Sequence, residues 1–381
     1  MKQRTRREGD HFHVPLWLDI LGGLVEGWPE LWMRLGEWET RTLEPRIEHV
    51  AIRRPIYIAG LARSGSTILL ELLARHPEVA THRYRDFPML HIPWFWNRFV
   101  DLAAAGPQAP RERAHRDGIR VTEESPEAFE EMIWMSMFPG LHDPKVCNVL
   151  DERHANSEFD SFYTDHLRKL LVVRSAPRYL AKGNYNVTRL RYLLKLFPDA
   201  RFIIPIRGPV WHVASLMKQH ALLTRAAAEM PRVQRYMRRA GHFEFGLDLH
   251  AVNVGDPEAV ENIQRLWDRG REIEGWARYW SMIYSYIANA LETTPELRNV
   301  VLVVRFEDMC DNPRESMIRI LRHAELSEET LPAMAEKKIR LPAYYQLSFT
   351  PDQRRLIWEC TNETASRFGY TDVRREHTAI V

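Results

Sequence analysis

The segment that most constrains the fold runs Ile56-Tyr57-Ile58-Ala59-Gly60, then Leu61-Ala62-Arg63-Ser64-Gly65-Ser66-Thr67, and on through ILLELLARH to position 76. A short apolar β-type run, a glycine-bounded turn and an amphipathic helix together make the first half of a βαβ unit. The turn has the frame GxxxxG followed by one residue and Ser or Thr. In that frame successive backbone N–H groups and a helix N-terminus hold an anion. The lysine usual before the final Ser or Thr is replaced by Ser66, and Arg63 brings the positive charge three positions earlier. The competing reading is a strand-to-helix turn of the same composition without a ligand.

The same alternation recurs along the chain. RFIIPI (201–206) leads into VWHVASLMKQH (210–220), VVLVV (300–304) into a helix near 313–323, and RYLAK (178–182) into TRLRYLLKLF (188–197). The fold class is therefore α/β: a P-loop-like open parallel sheet of about four to five strands, flanked by helices on both faces. Two stretches, 100–175 and 221–298, have helical periodicity and little β signal. They are expected to be helical lid insertions over the carboxyl edge of the sheet, where ligands of such sheets bind. Thr350-Pro351-Asp352-Gln353 predicts a capped helix start, and the helix it launches ends at Gly369. The organisation read from these features is an N-terminal helical extension (1–50), one α/β domain (51–372) and a tail (373–381).

Charge narrows the partners. Lys plus Arg is 53 and Asp plus Glu is 51, a difference of +2, so any anion binding must be local and nucleic acid is not an expected partner. Cys147, Cys310 and Cys360 lack metal-site spacing and suit a reducing compartment, so no metal is expected. Asp19 and Glu26 interrupt the apolar stretch LWLDILGGLVEGW, which reads as neither signal peptide nor membrane span. A cytoplasmic protein without a transmembrane segment is expected, and a homo-oligomer is compatible with the sequence.

From about residue 55 to 370 the chain resembles the sulfotransferases that use 3′-phosphoadenosine 5′-phosphosulfate (PAPS), in the branch related to protein-tyrosine and carbohydrate sulfotransferases. The resemblance rests on the strand, R-S-G-S-T loop and helix; on F-P-D-A-R-F-I-I-P-I-R-G-P with a serine eight residues after the arginine; on R-F-E-D at 305–308; and on F-G-Y at 368–370. It implies that Arg63, Ser64, Gly65, Ser66 and Thr67 bind the 5′-phosphosulfate, and that Arg207 and Ser215 bind the 3′-phosphate. It implies PAPS as co-substrate without a metal, and a small-molecule, lipid or carbohydrate acceptor bearing a hydroxyl or amine. Sulfuryl transfer needs cations at the leaving oxygen and a base at the acceptor. Arg63 and Lys182 are assigned to the leaving group, although Lys182 is followed by Gly-Asn-Tyr-Asn where the family often has a small residue and Pro.

Relatives place a catalytic Glu just over twenty residues beyond the loop. Here that region reads Arg83-Tyr84-Arg85-Asp86-Phe87-Pro88, which makes Asp86 the first choice for the base, with His91 and Glu131 of the Glu130-Glu131 pair in reserve. An ion pair between Asp86 and Arg83 or Arg85 is the alternative. Aromatic residues at 93–96, Trp134, Trp276 and Trp280 suit either an acceptor pocket or core packing. The arginines from Arg232 to Arg239 suit either a solvated helix face or a clamp, and Lys337, Lys338, Arg340, Tyr344 and Tyr345 suit a second clamp. Two other functions fit the loop: a magnesium-dependent P-loop kinase using Lys182, Glu307 and Asp308, and a nucleotide-binding pseudoenzyme.

Overall fold

Ile56–Ala59 (β1) is buried at every position, as a central parallel strand covered on both faces must be. In the computed structural model, which describes residues 14–103, 109–112, 120–341 and 349–371, β1 lies at the middle of a five-stranded sheet. In chain order the other strands are β2 (Val79–Ala80), a small hairpin of β3 (Arg111–Glu112) and β4 (Arg120–Val121) outside the main sheet, β5 (Arg178–Gly183), β6 (Arg201–Ile206) and β7 (Val301–Arg305). The sheet order is β2-β5-β1-β6-β7 with every pair parallel. Of these, the two-residue β2 was not expected, because so short a run has no periodicity to read.

Alternate side chains feed two cores. Tyr57, Tyr179, Phe202 and Ile204 point into the larger one, while Ile56, Ile58, Leu180 and Ile203 point into the smaller, the period-two rule of a strand. The smaller core is closed by helices Ser66–Leu73, Pro313–Ala324 and Leu331–Lys338. The larger is closed by helices Ser157–Arg174, Pro209–Glu229 and Glu272–Thr293. Two of these lie within the stretches expected to be lids. Phe159, Tyr163, Trp276, Trp280 and Tyr284 are buried there, so these stretches supply one face of the core, and Trp134, Trp276 and Trp280 are packing residues.

The C-terminal helix, Pro351–Arg367, starts as its sequence predicts: Gln353 N–H donates to Thr350 Oγ1 at 3.2 Å and Thr350 N–H to Gln353 Oε1 at 2.9 Å. At the other end of the chain, helices Leu16–Gly27 and Pro29–Ile47 wrap the domain. The second packs on helix Ser157–Arg174 through a buried Lys169–Glu39 pair at 3.1 Å, and Lys169 Nζ also donates to the Gly36 carbonyl at 2.9 Å. Tyr344, Tyr345 and the 373–381 tail lie outside the described residues.

Candidate active site

The loop after β1 is shaped by two left-handed residues, Arg63 (φ 71°) and Gly65 (φ 99°). Gly65 is the N-cap of helix Ser66–Leu73, and a Cβ there would lie 2.5 Å from Phe306 Cδ2, so both its conformation and its neighbour demand glycine. The first-turn N–H groups of this helix lack intrahelical acceptors and suit an anion. The non-glycine strain at Arg63 is held by a contact across the site, where its Nε donates to Ser215 Oγ at 3.2 Å. This bond ties the loop to the helix that follows β6, joining two signatures 152 residues apart in sequence.

That helix, Pro209–Glu229, has Pro at its first position, and its register puts His212 and Ser215 on its buried face. His212 Nε2 donates to the Ala62 carbonyl at 2.8 Å while its Nδ1 accepts from Trp280 Nε1 at 3.1 Å. Burial pushes this imidazole down to about 3, so it is a neutral strut that fixes the loop backbone. Arg207, at the end of β6, is 5% exposed, and its guanidinium stacks 5.0 Å over the Phe306 ring. Phe306 therefore lies between the loop glycine and the strand-end arginine.

The acidic pair after β7 is also accounted for. Glu307 Oε1 accepts from Gly208 N–H at 2.9 Å, ahead of the helix start, and its Oε2 accepts from Tyr370 Oη at 2.7 Å. Asp308 pairs with Arg305 at 3.5 Å, and Arg305 stacks 4.6 Å over the Tyr370 ring and donates to the Gly369 carbonyl at 3.0 Å. Glu307 thus holds Tyr370 beside β6, and Asp308 supports the arginine that binds the Gly369 carbonyl. This is a structural use, which removes the support they lent to a magnesium-dependent kinase. Sequence reading flagged R-F-E-D and F-G-Y as separate signatures; the hydrogen bond between Glu307 and Tyr370 shows why they occur together.

Lys182 is the penultimate residue of β5, on the other side of β1 from β6, with Ile58 opposite it in the register. Glycine is required at 183, because a Cβ there would lie 2.8 Å from the Asn186 side-chain amide. Lys182 opens onto a cleft with Glu130, Asn184, Gly241, His242 and Glu244. Glu244 Oε2 is 3.4 Å from His242 Nδ1 and Oε1 accepts from the Asn184 amide. Burial alone pushes the His242 imidazole down, but the Glu244 carboxylate outweighs it and the pKa is raised. Burial likewise pushes Glu244 up, and His242, with help from Asn184 and Lys182, overcomes it and holds the carboxyl at about 2. This dyad was missed in the sequence, where His242 lies 60 residues from Lys182 with no motif to join them.

Of the three expected bases, Glu131 also lines this cleft, whereas Asp86 and His91 are not among its lining residues. Asp86 is fully buried: Arg174 Nη2 donates to both its oxygens at 2.6 Å, Asn97 Nδ2 to one at 2.9 Å and Arg83 N–H to the other at 2.8 Å. Burial pushes this carboxyl up, but His82 and Arg174 outweigh it and hold it well below the usual carboxylate range. Asp86 is thus a structural anion with no lone pair to spare, and its partner is Arg174, neither of the flanking arginines. His91 is buried against Ser136 Oγ at 3.2 Å, with its imidazole pushed down by burial to about 4. Glu131 accepts from Arg189 at 2.8 and 2.6 Å and lies 2.7 Å from His142 Nε2; burial pushes it up, but Arg189 and His142 prevail and hold it at about 2. Neighbouring Glu130 is raised by burial and accepts from Tyr163 and, at 3.0 Å, from Tyr179.

The basic helix Pro231–Arg239 is likewise engaged: Arg235 and Arg239 bind Asp19, and Arg238 binds Asp248 at 2.8 Å.

The chain is 25% identical over 365 residues to the omega-hydroxy-beta-dihydromenaquinone-9 sulfotransferase Stf3 of Mycobacterium bovis and of Mycobacterium tuberculosis, a match covering 88% of this chain and 80% of theirs. Among solved structures, sulfotransferase STF9 of Mycobacterium avium aligns with TM-score 0.49 and 15% identity over 87% of this chain and 81% of that one. Sulfotransferase STF1 of Mycobacterium tuberculosis aligns with TM-score 0.45 and 15% identity over 92% and 86%. A model of the sulfotransferase family matches residues 55–247, a span that takes in the loop, Lys182, Arg207, Ser215 and the His242–Glu244 dyad. The chain belongs to the sulfotransferase family.

Proposed function

We propose that this sulfotransferase moves a sulfuryl group from PAPS to a hydroxyl, or an amine, of its acceptor. The observation that carries this reading is the order of groups along the carboxyl edge of three adjacent strands. Lys182 lies at the carboxyl end of β5, the Arg63–Thr67 loop follows β1, and Arg207 with Ser215 follows β6. Neighbouring strands are about 4.8 Å apart, so these groups span about 10 Å, the scale of a nucleotide with phosphates at both ends. The donor set fits such a ligand: backbone N–H groups and hydroxyls at the centre, and the Arg63–Ser215 contact beside the buried Arg207 at one side.

In this reading the loop residues Arg63, Ser64, Gly65, Ser66 and Thr67 hold the 5′-phosphosulfate, and Arg207 and Ser215 hold the 3′-phosphate. PAPS supplies the sulfuryl group, and 3′-phosphoadenosine 5′-phosphate is the product. Lys182 and Arg63 neutralise the charge that grows on the leaving phosphate oxygen as its bond to sulfur breaks. His242 takes the acceptor's proton at Nε2, with Glu244 at Nδ1 fixing the ring, and so replaces Asp86, His91 and Glu131 as the base. No residue on this list requires a metal. Stf3 is named for an omega-hydroxy menaquinone, which favours a lipid-borne hydroxyl among the small-molecule, lipid and carbohydrate acceptors. The cysteines are unpaired, in keeping with a reducing, cytoplasmic setting.

The test is calorimetric titration with 3′-phosphoadenosine 5′-phosphate in EDTA, beside ADP and beside ATP with magnesium. Metal-free binding of the first ligand alone is expected. Binding of ATP with magnesium alone would overturn the reading.

A further inference from the structure

Three side chains lining the cleft of Lys182 and His242 each hold a buried polar atom without a hydrogen-bond partner among the described residues: Glu130 Oε2, Asn184 Oδ1 and Asn186 Nδ2. Their neighbours fix what each one offers. Asn184 Nδ2 donates to Glu244, which leaves Oδ1 as an open acceptor. Glu130 Oε1 accepts from Tyr163 and, at 3.0 Å, from Tyr179, so the proton of a neutral Glu130, the form that burial favours, sits on Oε2. Asn186 is 1% exposed, and its amide lies over Gly183, in the space that a Cβ there would crowd. Tyr185, between the two asparagines, accepts from Phe243 N–H at 3.0 Å, so residues 183–186 and the His242–Glu244 dyad are held as one wall.

A buried polar atom without a partner carries its desolvation cost uncompensated, and three of them on one cleft ask for a group that pairs with all three. The open set is one acceptor and two donors. A hydroxyl is its complement, with one O–H to give to Asn184 Oδ1 and two lone pairs to accept from Asn186 Nδ2 and Glu130 Oε2. An ammonium has donors only and would serve one of the three. The enclosed space is about 10 Å³, room for a single hydroxyl-sized group. A hydroxyl bound in this way has no lone pair left to attack sulfur, whereas the reacting hydroxyl must keep one and give its proton to His242 Nε2. The bound hydroxyl is therefore a second one.

We propose that Glu130, Asn184 and Asn186 form a subsite for a non-reacting hydroxyl of the acceptor, which makes the acceptor a polyol, such as a glycerol or sugar head, and not an isolated alcohol. This rests on the cleft being the acceptor site of the sulfotransferase. An acceptor lacking the second hydroxyl leaves the three groups unpaired, and that is the origin of the discrimination.

The experiment measures kcat/KM with labelled PAPS for octanol, octane-1,2-diol, octane-1,3-diol and glycerol. A preference of about a hundredfold or more for one of the octanediols over octanol is expected, and the rate with glycerol tells a free polyol from a lipid-borne one. Asn186→Leu, close in volume, should lower kcat/KM for the diol at least about tenfold more than for octanol, a split that a merely structural loss would not produce. Glu130→Gln, whose amide can accept from the tyrosines and donate in place of the acid, should keep the preference. Titration with 3′-phosphoadenosine 5′-phosphate shows that each variant is folded, and its failure in the parent would sink the sulfotransferase reading alone, because saturation-transfer NMR of the same probes on the nucleotide-free protein scores the preference without turnover. Diols and octanol within about threefold of one another in both assays, as for a recess filled by water, would overturn the proposal. So would a preference that Asn186→Leu leaves intact or that Glu130→Gln abolishes.

Discussion

Asp86→Asn separates a catalytic carboxylate from a structural one. The side chain is fully buried, and its partner Arg174 has a side chain only 5% exposed. The amide keeps the shape but leaves that guanidinium buried without its counter-charge, which costs about 3–5 kcal/mol. With an unfolding entropy of about 2.1 cal/mol/K per residue, a 381-residue chain loses about 4–6 °C of Tm for that cost. Scanning calorimetry at neutral pH reads this shift, and steady-state assays at 25 °C, where the variant is still folded, should find kcat within about threefold of the parent. Acid supplies a second readout. The folded pKa of Asp86 lies below its unfolded value, so its stabilisation is complete above the ordinary carboxylate range and lost as pH falls from there through the folded pKa. The parent's Tm should therefore drop more steeply than the variant's below about pH 4. An unchanged Tm with kcat down a hundredfold or more would refute this reasoning and return Asp86 to the role of base.

Arg207→Ala should weaken 3′-phosphoadenosine 5′-phosphate about a hundredfold, the worth of charge-assisted bonds in a buried setting, yet change ADP less than about threefold in the same calorimeter. Equal losses would show that Arg207 does not read the 3′-phosphate. His242→Gln should abolish most turnover while sparing nucleotide affinity. Because the Glu244 carboxylate raises the His242 pKa, Glu244→Gln should move the acidic limb of the kcat profile to lower pH; an unmoved limb would exclude the dyad. Gly36→Ala places a Cβ 2.7 Å from the His91 carbonyl oxygen and 2.8 Å from Phe162 Cε2, neither of which can swing aside. Overpacking of about 1–3 kcal/mol should exceed the helix-propensity gain of up to about 1 kcal/mol, and thermal denaturation should show a lower Tm.

Local chemistry made much of this protein legible in one dimension. The strands ending at Ala59, Gly183, Ile206 and Arg305 are runs of apolar residues too short for helices, and Gly65 and the Thr350–Gln353 cap write their own backbone geometry. Parallel strands also force ligand-binding groups to the carboxyl edge, where the Arg63 loop was readable from its own frame and Lys182 and Arg207 from the family resemblance. What spacing cannot carry is which side chains meet. Helices Ser157–Arg174 and Glu272–Thr293 have the polar, helix-periodic look of lids, yet their aromatic faces complete the larger core, because burial depends on what the rest of the chain leaves uncovered. Asp86 stood where a base was expected, and only folding brought Arg174, 88 residues away, onto both its oxygens. The same folding paired His242 with Glu244 beside Lys182, and set Arg235 and Arg239 against Asp19 of the N-terminal helix. A sequence fixes what each residue can do; the long-range contacts decide the dielectric, the counter-charge and the open side, and so which residues are free to act.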